Sequence, residues 1–419
     1  MKKRLFITLI ILICCFSIVL NVAAQDQLKI GCLFPFTGDL ARLGNDSYRG
    51  AELARIEKNE NGGLFGKEIV FVRGDAVTPK QAVTEAERLI NRENVDIILG
   101  TYSSSLSYVA SEVAEKYGKI YWELGAIATN LTERGFEYYF RSCPRSSQYA
   151  KYATDVAVDQ LLPRIGIEPE DAKIAGIFED SLMGTEAADG VKIALEEKGL
   201  SLTMQDFYSS TSVDLTPLIM RLRQINPDVI LASQYLTDAL LFQRQSKEMN
   251  LYVPIFIGLG GGVSLGEFRQ ALGNDAVGIL ETSFVPMVQN VNPEYAPGSQ
   301  NVIKSYEEVF GEKMTSSYPV INYAGTMTLW EVLEKAGSTD PEKVREAALE
   351  IDIPDRTTPI GYGFKYDETG QNIRARVVML QWKEDSDTMY TVWPTDAAVP
   401  GSEIDIPLLT WQEKAKLGQ

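Results

Sequence analysis

The sequence predicts an α/β fold with two similar lobes, each a parallel sheet flanked by helices. Short apolar runs of strand length alternate with amphipathic runs of helix length, and glycine, proline or polar residues separate them. This alternation starts again after about residue 170, and 419 residues are enough for more than one domain. Repeated strand–helix–strand units form parallel sheets that helices cover on both faces.

The first unit has four predicted strands and three predicted helices. The strands lie at 28–34, 68–75, 95–100 and 119–128, the last with its loop. The helices lie at 45–59, at 78–91 and from the serines at 103–105 onward. Pro79 stands near the first turn of the second helix, where proline is tolerated, and the glycines after Asn61 end the first helix.

The second unit repeats this pattern and is followed by a longer helical stretch. Its predicted strands lie at 172–180, 202–208, 227–233 and 253–258, with helices at 183–198, 214–225 and 237–248. Further helices are predicted at 298–310, 320–336 and 341–350. The last part, 361–393, is typical of a β-hairpin-like region with a turn around Glu368-Thr369-Gly370. The run Gly258–Gly262 is predicted as a flexible loop after its strand.

The N-terminus has the layout of a secretory signal peptide over residues 1–24. Lys2, Lys3 and Arg4 precede an almost wholly apolar run to Leu20, and small residues end at Ala24. The apolar run is short for a membrane-spanning helix, although an uncleaved anchor is the alternative. We therefore expect a soluble protein that is periplasmic or otherwise exported.

Composition excludes several classes of function. Removal of Lys2, Lys3 and Arg4 takes the formal net charge from −17 to about −20, which disfavours nucleic acid and anionic membranes as partners. The chain has no histidine, which excludes Ser-His-Asp and Cys-His catalysis and histidine metal sites. An enzyme is therefore not expected, although hydrolysis by carboxylates alone stays open. No cofactor or metal is expected, and Cys32 and Cys143 are predicted to be buried free thiols.

Three consecutive serines, Ser103–Ser105, follow the third strand through Gly100 and open a helix. One serine would be enough to cap the helix. The alternative is an anion site, because a helix N-terminus offers free N–H groups and the positive end of its dipole. Ligands of open parallel sheets bind outside the carboxyl ends of the strands, which is where these serines stand.

Four stretches carry a family resemblance. They are GCLFPFTGDLARLGNDSYRGAELA, NENGGLFGKEIVFVRGDAVTPKQAVTEAERLIN, ILGTYSSSLSYVASEVAEKYGKIYWELGAIATNLTERG and FEDSLMGTEAADGVKIALEEKG. Together they resemble the leucine/isoleucine/valine-binding proteins, which are type I periplasmic binding proteins and soluble receptors of ABC importers. The resemblance runs from about Leu28 to Trp393 in conserved order and spacing.

The resemblance implies roles for individual positions. The serine that holds the ligand α-carboxylate in the family matches Ser104. A second-lobe tyrosine that closes over the ligand matches Tyr235, and Leu43 matches a packing position after the first strand. The resemblance also implies two lobes joined by a three-stranded hinge: residues 25–144 and 283–361 form the first lobe, and 145–282 and 362–419 the second. The expected crossings lie near 142–145, 281–284 and 359–363.

This sequence departs from the family at three positions that matter for an amino-acid ligand. The loop after the fourth strand has Gly125-Ala126-Ile127, so Ile127 replaces a threonine that holds carboxylate and ammonium. Gly260 stands where the amino-acid receptors place a glutamate that pairs with the ammonium. Met183 replaces a tyrosine.

A desolvated ammonium without a partner costs several kcal/mol, on the order of what a buried unpaired charge costs. Either another acid replaces the lost partner, or the ligand is not an α-amino acid. Glu123 is one candidate acid, with a loop hydrogen bond as its alternative role. Glu179 and Asp180 are others, with helix capping as the alternative.

We therefore expect a receptor, not an enzyme, that closes on a small carboxylate or amino-acid-like ligand. Ser103, Ser104 and the Ser105 amide would hold the carboxylate. The remaining expected ligand-binding residues are Leu43, Tyr102, Glu123, Gly125, Ala126, Ile127, Met183, Tyr235 and Gly260. The expected partner is an ABC permease, and the protein is expected to be a monomer. A ligand-binding component of a membrane sensor and a receptor for an amide or urea-like solute remain alternatives.

Overall fold

The structure is a computed structural model that describes residues 27–284 and 290–418. The predicted signal peptide lies outside these residues. The first sheet consists of β1 (Gln27–Phe34), β2 (Glu68–Asp75), β3 (Ile97–Gly100), β4 (Ile120–Glu123) and β5 (Tyr139–Arg141). Its order is β2-β1-β3-β4-β5, and every pair in it is parallel. The carboxyl ends of these strands therefore meet at one edge.

Six helices among the described residues belong to the first lobe. They are α1 (Ala41–Glu60), α2 (Pro79–Asn91), α3 (Ser104–Lys116), α9 (Ser299–Phe310), α10 (Tyr318–Ala336) and α11 (Pro341–Leu349). Helices α4 to α8 lie between α3 and α9 along the chain and belong to the second lobe. Helix α2 starts as the sequence predicts: Pro79 is in its first turn, and the Thr78 side chain accepts a hydrogen bond from the Gln81 amide.

The second sheet has seven strands in the part of the chain that the structure describes. They are β6 (Ile174–Glu179), β7 (Met204–Tyr208), β8 (Val229–Gln234), β9 (Ile255–Gly261), β10 (Leu280–Ser283), β11 (Val378–Gln381) and β12 (Tyr390–Trp393). Its order is β12-β11-β10-β9-β8-β6-β7. The pairs from β10 to β7 are parallel, whereas β11 runs antiparallel to both β10 and β12. Its helices are α4 (Ser146–Asp155), α5 (Leu182–Glu196), α6 (Thr216–Ile225), α7 (Leu236–Glu248), α8 (Gly266–Leu272) and the C-terminal α12 (Trp411–Lys414).

The α/β fold of two mostly parallel sheets is confirmed, and local differences have physical reasons. Strand β9 continues through Gly261, which pairs with Gln234 after a bulge, so the predicted glycine loop is largely strand. Helix α4 is not predicted and runs on through a π-helical segment, Val156–Leu161. Cys32 and Cys143 are buried and free, as expected. Within the described ranges, no helix is both long and apolar enough to cross a membrane.

The third crossing between the lobes comes later than the expected 359–363. The ring of Tyr366 lies 5.2 Å from that of Trp122 and 5.6 Å from that of Phe140, both in the first sheet. The turn around Glu368-Thr369-Gly370 is present, because Tyr366 and Asn372 form an antiparallel bridge across it. The chain therefore stays with the first lobe past residue 362 and joins the second sheet only at Val378, where β11 begins.

Candidate functional site

The predicted serines stand at the start of α3, at the carboxyl edge of the first sheet. Ser103 is the N-cap residue, and its side chain makes no capping hydrogen bond. Ser103 and Ser104 are buried, whereas Ser105 is half-buried. The Ser104 hydroxyl accepts a hydrogen bond from the Ala128 amide at 3.1 Å and keeps its own proton for another acceptor. The first N–H groups of a helix have no partner within it, so this end offers hydroxyl and amide donors together.

Tyr235 of the second lobe reaches these serines. It precedes α7, and its hydroxyl lies close to the hydroxyls of Ser181 and Ser103. Burial is the main reason why the pKa of the Tyr235 hydroxyl is raised above its ordinary value. Since Ser103 and Tyr235 belong to different lobes, the structure represents a closed arrangement of the two lobes.

An aromatic wall lies between the lobes. Tyr102, Tyr318, Phe284 and Tyr149 follow one another edge to face, with ring centroids 6.0, 5.5 and 6.2 Å apart. Tyr102 has a positive φ of 66°, and its hydroxyl donates to the Leu40 carbonyl at 3.1 Å. A non-glycine residue in this region is uncommon and is held here by its surroundings. Phe284 and Tyr318 were not predicted, because a lone aromatic in an apolar run looks like an ordinary core residue.

The apolar residues expected at the site are brought together. Leu43, Ile127 and Met183 are buried and belong, with Tyr102, to one hydrophobic cluster that also includes the aromatic wall. Gly260 has a φ of 83°, and a Cβ atom there would lie 3.3 Å from Tyr149 Cε1 and 3.8 Å from Ile127 Cδ1. A side chain at Gly260 would therefore be strained and would press on Tyr149. This explains why the chain has no glutamate at that position.

Glu123 does not face the cleft as a free acid. Its carboxylate accepts hydrogen bonds from the Ser107 hydroxyl at 2.6 Å and from five backbone amides, those of Thr101, Tyr102, Leu124, Gly125 and Ala126. Burial raises the pKa of Glu123, and these hydrogen bonds oppose the rise. The carboxylate thus fixes the loops after β3 and β4, and its expected role as an ammonium partner is replaced by the alternative, a loop hydrogen bond.

The hydrogen bonds of Glu123 also involve Gly125 and Ala126, two residues that we expected to contact the ligand. Both amides are engaged by Glu123, and the Ala126 carbonyl accepts from Arg141 and from the Cys143 thiol, each at 3.4 Å. Ala126 is fully buried in the first lobe. The two residues therefore shape the loop that carries Ile127 and have no backbone amide left for a ligand.

The other candidate acids are also accounted for. Glu179 is buried, and its carboxylate accepts from the Ser181 amide at 2.7 Å and the Ser181 hydroxyl at 2.8 Å. Ser181 is the residue that caps α5, because its hydroxyl accepts from the Met183 amide at 3.2 Å, so Glu179 supports the cap. Asp180 is exposed. Within the described ranges, no cluster of Cys, Asp or Glu side chains could hold a metal ion.

One acid near the aromatic wall was missed by sequence reasoning. Glu281 lies in β10 and is 1% exposed. The Ser264 hydroxyl donates to its Oε1 atom at 3.2 Å, and within the described ranges its Oε2 atom has no hydrogen-bond partner. Burial raises the pKa of Glu281 to about 8. The available signal was a single acid inside the apolar run that forms β10.

An ion pair joins the lobes at the edge of the cleft. Arg42 in α1 contacts Glu267 in α8 and also Asp46, one turn further along α1. The Arg42 Nη2 atom donates to the Thr315 hydroxyl at 2.8 Å, and the Gly266 amide donates to the Thr315 carbonyl at 3.2 Å. These contacts hold α8 against the first lobe in the closed arrangement.

Comparisons with known proteins agree with this architecture. The sequence model of the family described as periplasmic binding protein matches residues 27–387. The Leu/Ile/Val-binding protein homolog 7 of Brucella abortus is 37% identical over 385 residues, which are 92% of this chain and 95% of that protein.

Two solved structures share the fold. The branched-chain amino acid transporter substrate binding protein LivJ from Streptococcus pneumoniae, in complex with isoleucine, aligns with a TM-score of 0.73 and 20% identity, covering 88% of this chain and 100% of that one. A solute binding protein of an ABC transporter from R. palustris, in complex with benzoate, aligns with a TM-score of 0.73 and 21% identity, covering 90% and 99%. One of these ligands carries an ammonium group, and the other does not.

Proposed function

The chain belongs to the periplasmic binding protein family, a family of solute-binding receptors, and we propose that it is the exported receptor of an ABC importer. In this proposal its two lobes close on a small carboxylate or amino-acid-like ligand. The observation that carries the proposal is the approach of Tyr235 to Ser103 across the cleft, at the N-terminus of α3. Lobe closure around a ligand is an established mode of hinge motion in such receptors.

The carboxylate would be bound by the start of α3. The hydroxyls of Ser103 and Ser104 and the amide of Ser105 are donors at the positive end of the helix dipole. Charge-assisted hydrogen bonds of this kind are about twice as strong as neutral ones. The relatives' ligands support this choice, because isoleucine and benzoate share a carboxylate.

The body of the ligand would lie against apolar and aromatic side chains. Leu43, Tyr102, Ile127, Met183 and Tyr235 belong to or pack on the cluster that joins the lobes. Because Gly260 has no side chain, the ring of Tyr149 can lie directly beside it. A ligand with an apolar body therefore fits this surface better than a highly hydroxylated one, because the side chains assigned to it are mostly apolar or aromatic.

Release into a membrane permease completes the proposed role. The closed form would dock on the permease as a monomer, with no nucleic acid involved, after export through the signal peptide over residues 1–24. The charge of the chain after cleavage, about −20, favours solubility over binding to anionic surfaces.

A thermal-shift screen tests the proposal. The mature protein is unfolded and refolded to remove any bound ligand, and then melted with amino acids, their deaminated carboxylates, benzoates and simple amides. A ligand at a hundred times its dissociation constant adds about 2.7 kcal/mol to the stability, which is a visible shift in Tm. The proposal expects at least one carboxylate to raise Tm. A shift with amides alone would overturn the carboxylate assignment.

A further inference from the structure

A small cavity lies in the second lobe beside the C-terminal segment. It has a volume of about 30 Å³ and is lined by side chains of β8, α7, the loop before β9, β9 and the last residues of the chain, among them Phe242, Leu251, Phe256, Leu408, Trp411 and Lys414. None of the residues that we assign to the cleft takes part in it. Leu409 also lines the cavity and is 37% exposed, so the cavity reaches the surface. A cavity of this size has room for an occupant of a few atoms only.

Lys414 in α12 is a buried basic residue at this cavity. It is 3% exposed, and its Nζ atom donates to the Asp275 carbonyl at 2.8 Å. The Asp275 carboxylate is bonded instead to the Nζ atom of Lys247, at 2.7 and 3.0 Å. An ammonium group has three N–H donors, so Lys414 keeps donors for a further acceptor. A carbonyl has no formal charge, and a buried ammonium without a full counter-charge is costly.

The Ser246 hydroxyl is a second unused donor, and Ser246 lines the same cavity. Ser246 lies in α7 and is 2% exposed, and within residues 27–284 and 290–418 its hydroxyl has no hydrogen-bond partner. The backbone at Ser246 is fixed, because its carbonyl accepts from the Leu251 amide at 2.8 Å. A buried hydroxyl that stays unpaired is destabilising. A small acceptor in the cavity would satisfy both Ser246 and Lys414.

The charged groups around Lys414 favour a negative occupant. Lys247 from α7 and Arg269 from α8 add positive charge, and Asp275, in the turn after α8, adds negative charge. Tyr252, from the loop before β9, also lines the cavity, and its hydroxyl donates to a backbone carbonyl at 2.9 Å. Burial, above all, lowers the pKa of Lys414 to about 7. An anion beside the Nζ atom would offset the cost of burial by supplying the missing opposite charge.

We propose that this cavity binds one small monovalent anion between the Lys414 ammonium group and the Ser246 hydroxyl. Chloride, nitrate, formate and acetate have this charge and consist of a few atoms only. The bound anion would join α12 to the end of α7, close to the hydrogen bond from Trp411 Nε1 to the Leu251 carbonyl at 2.8 Å. It would therefore stabilise the C-terminal segment on the second lobe. The anion site is separate from the cleft and does not depend on the proposed function.

Anomalous diffraction locates the anion directly. The refolded protein is crystallised with sodium bromide as the only halide, and the bromide is identified by its anomalous signal. We expect a peak in the cavity in contact with Lys414 Nζ. The peak should be absent in Lys414→Met, which keeps the length of the side chain and removes its charge, and weaker in Ser246→Ala. A wild-type cavity that holds no bromide would overturn the proposal.

Thermal melting tests the site in solution. Sodium chloride, nitrate, formate and acetate are each compared at about pH 6, where Lys414 is charged, with sodium gluconate at equal ionic strength, because gluconate is too large for the cavity. All variants carry Ser104→Ala, so that carboxylates bound at the cleft contribute less. We expect at least one small anion at saturation to raise Tm by at least about 2 °C. Lys414→Met should lose this rise, whereas Lys416→Met, the control at an exposed lysine, should keep it.

The pH dependence shows whether the charge of Lys414 holds the anion. Lys414 loses its proton as the pH rises through about 7, so the rise in Tm should be larger at about pH 6 than at about pH 9. The anion that raises Tm most identifies the occupant within this class. A rise that is equal at both pH values, or equal in Lys414→Met, would mean that the anion acts elsewhere and would overturn the proposal. A bromide peak in the crystal without any rise in Tm would mean an adventitious ion only and would also overturn it.

Discussion

The hydroxyl of Tyr235 in the second lobe lies close to the Ser103 hydroxyl in the first lobe. Ser103 precedes α3, whose first turn carries the donors that we assign to the ligand carboxylate. The same residue therefore takes part in closure and stands beside the anion site. Our proposal therefore couples closure to binding, because a ligand at α3 would be covered when Tyr235 approaches.

Ser104→Ala should weaken binding of the carboxylate by about 1–3 kcal/mol, since a hydrogen bond to a charged group is lost. The variant also leaves the Ala128 amide without its acceptor, so the loop after β4 loses an anchor. Ser105→Ala is the control, because its half-buried side chain can be removed while its amide stays, with a change within about 0.5 kcal/mol. Calorimetric titration measures both affinities. If Ser104→Ala bound the carboxylate as tightly as the wild type, the serines would only start the helix and would not bind the ligand.

Tyr235→Phe should speed ligand release and weaken binding by about 0.5–1.5 kcal/mol, the net value of a neutral hydrogen bond. The matched control is Tyr208→Phe, whose hydroxyl donates to Asp238 at 2.6 Å within the second lobe. That control should lower the stability and leave the release rate as it was. Stopped-flow dissociation separates them, and an unchanged rate in Tyr235→Phe would argue against closure by this residue.

Glu267→Gln should shift the unliganded protein towards the open form, because Arg42 loses its partner in the other lobe. Both side chains are partly exposed, so the effect should be within about 0.2–1 kcal/mol and should shrink as salt is added. Glu312→Gln is the control, since its partner Arg49 lies in the same lobe. Scattering profiles of the two variants should differ at low salt, and identical profiles would show that the ion pair does not favour closure.

Glu123→Gln should destabilise the fold by at least about 1–3 kcal/mol. The glutamine NH2 group would face backbone N–H groups that now donate to the Glu123 carboxylate, so donors would meet donors. Urea unfolding measures the loss. If turnover of a ligand existed and disappeared in this variant while stability held, the carboxylate would be a reacting group, contrary to our structural assignment.

Glu281→Gln should alter how the stability of the ligand-free protein depends on pH. Burial raises the pKa of Glu281 from 4.5 to about 8, so the folded state keeps this proton to a higher pH than the unfolded chain. Its contribution is complete below about pH 4.5 and falls by up to about 1.4 kcal/mol per pH unit as the pH rises towards 8. Glu281→Gln has no carboxyl group to titrate, so this fall in stability with rising pH should be absent. Parallel stability curves for the two proteins would contradict the buried position.

A second buried acid provides the comparison for that experiment. Burial raises the pKa of Asp238 to about 7, so Asp238→Asn should flatten the curve of unfolding free energy against pH below pH 7. The decline that remains between pH 7 and pH 8 would come from Glu281. The order of the two effects along the pH axis identifies which acid is responsible.

Periodicity and glycine placement were enough to predict the two sheets and most of their helices, because those patterns are local, but α4, α8 and α12 were not predicted. The serines at α3 could be predicted at the cleft because the ends of parallel strands meet at one edge, whereas Tyr235, Leu43, Ile127 and Met183 were assigned to it by the family resemblance. The roles of Glu123 and Glu281 could not be predicted. Both are single acids beside apolar strands, and only the folded positions of the surrounding amides decide which of them is satisfied.

The position of the third crossing between the lobes could not be predicted for the same reason. The turn after Tyr366 is visible in the sequence, but the edge-to-face packing of Tyr366 against Trp122 and Phe140 depends on a contact between distant parts of the chain. No local pattern distinguishes a hairpin that stays with the first lobe from one that joins the second.

The measurement that tests the central claim most directly is the radius of gyration of the refolded, ligand-free protein before and after saturation with the carboxylate that raises Tm most. If the lobes close on a carboxylate at α3, the radius should fall on saturation, and it should fall less in Ser104→Ala at the same concentration. A carboxylate that binds without any decrease in the radius would contradict closure of Tyr235 onto the serine site.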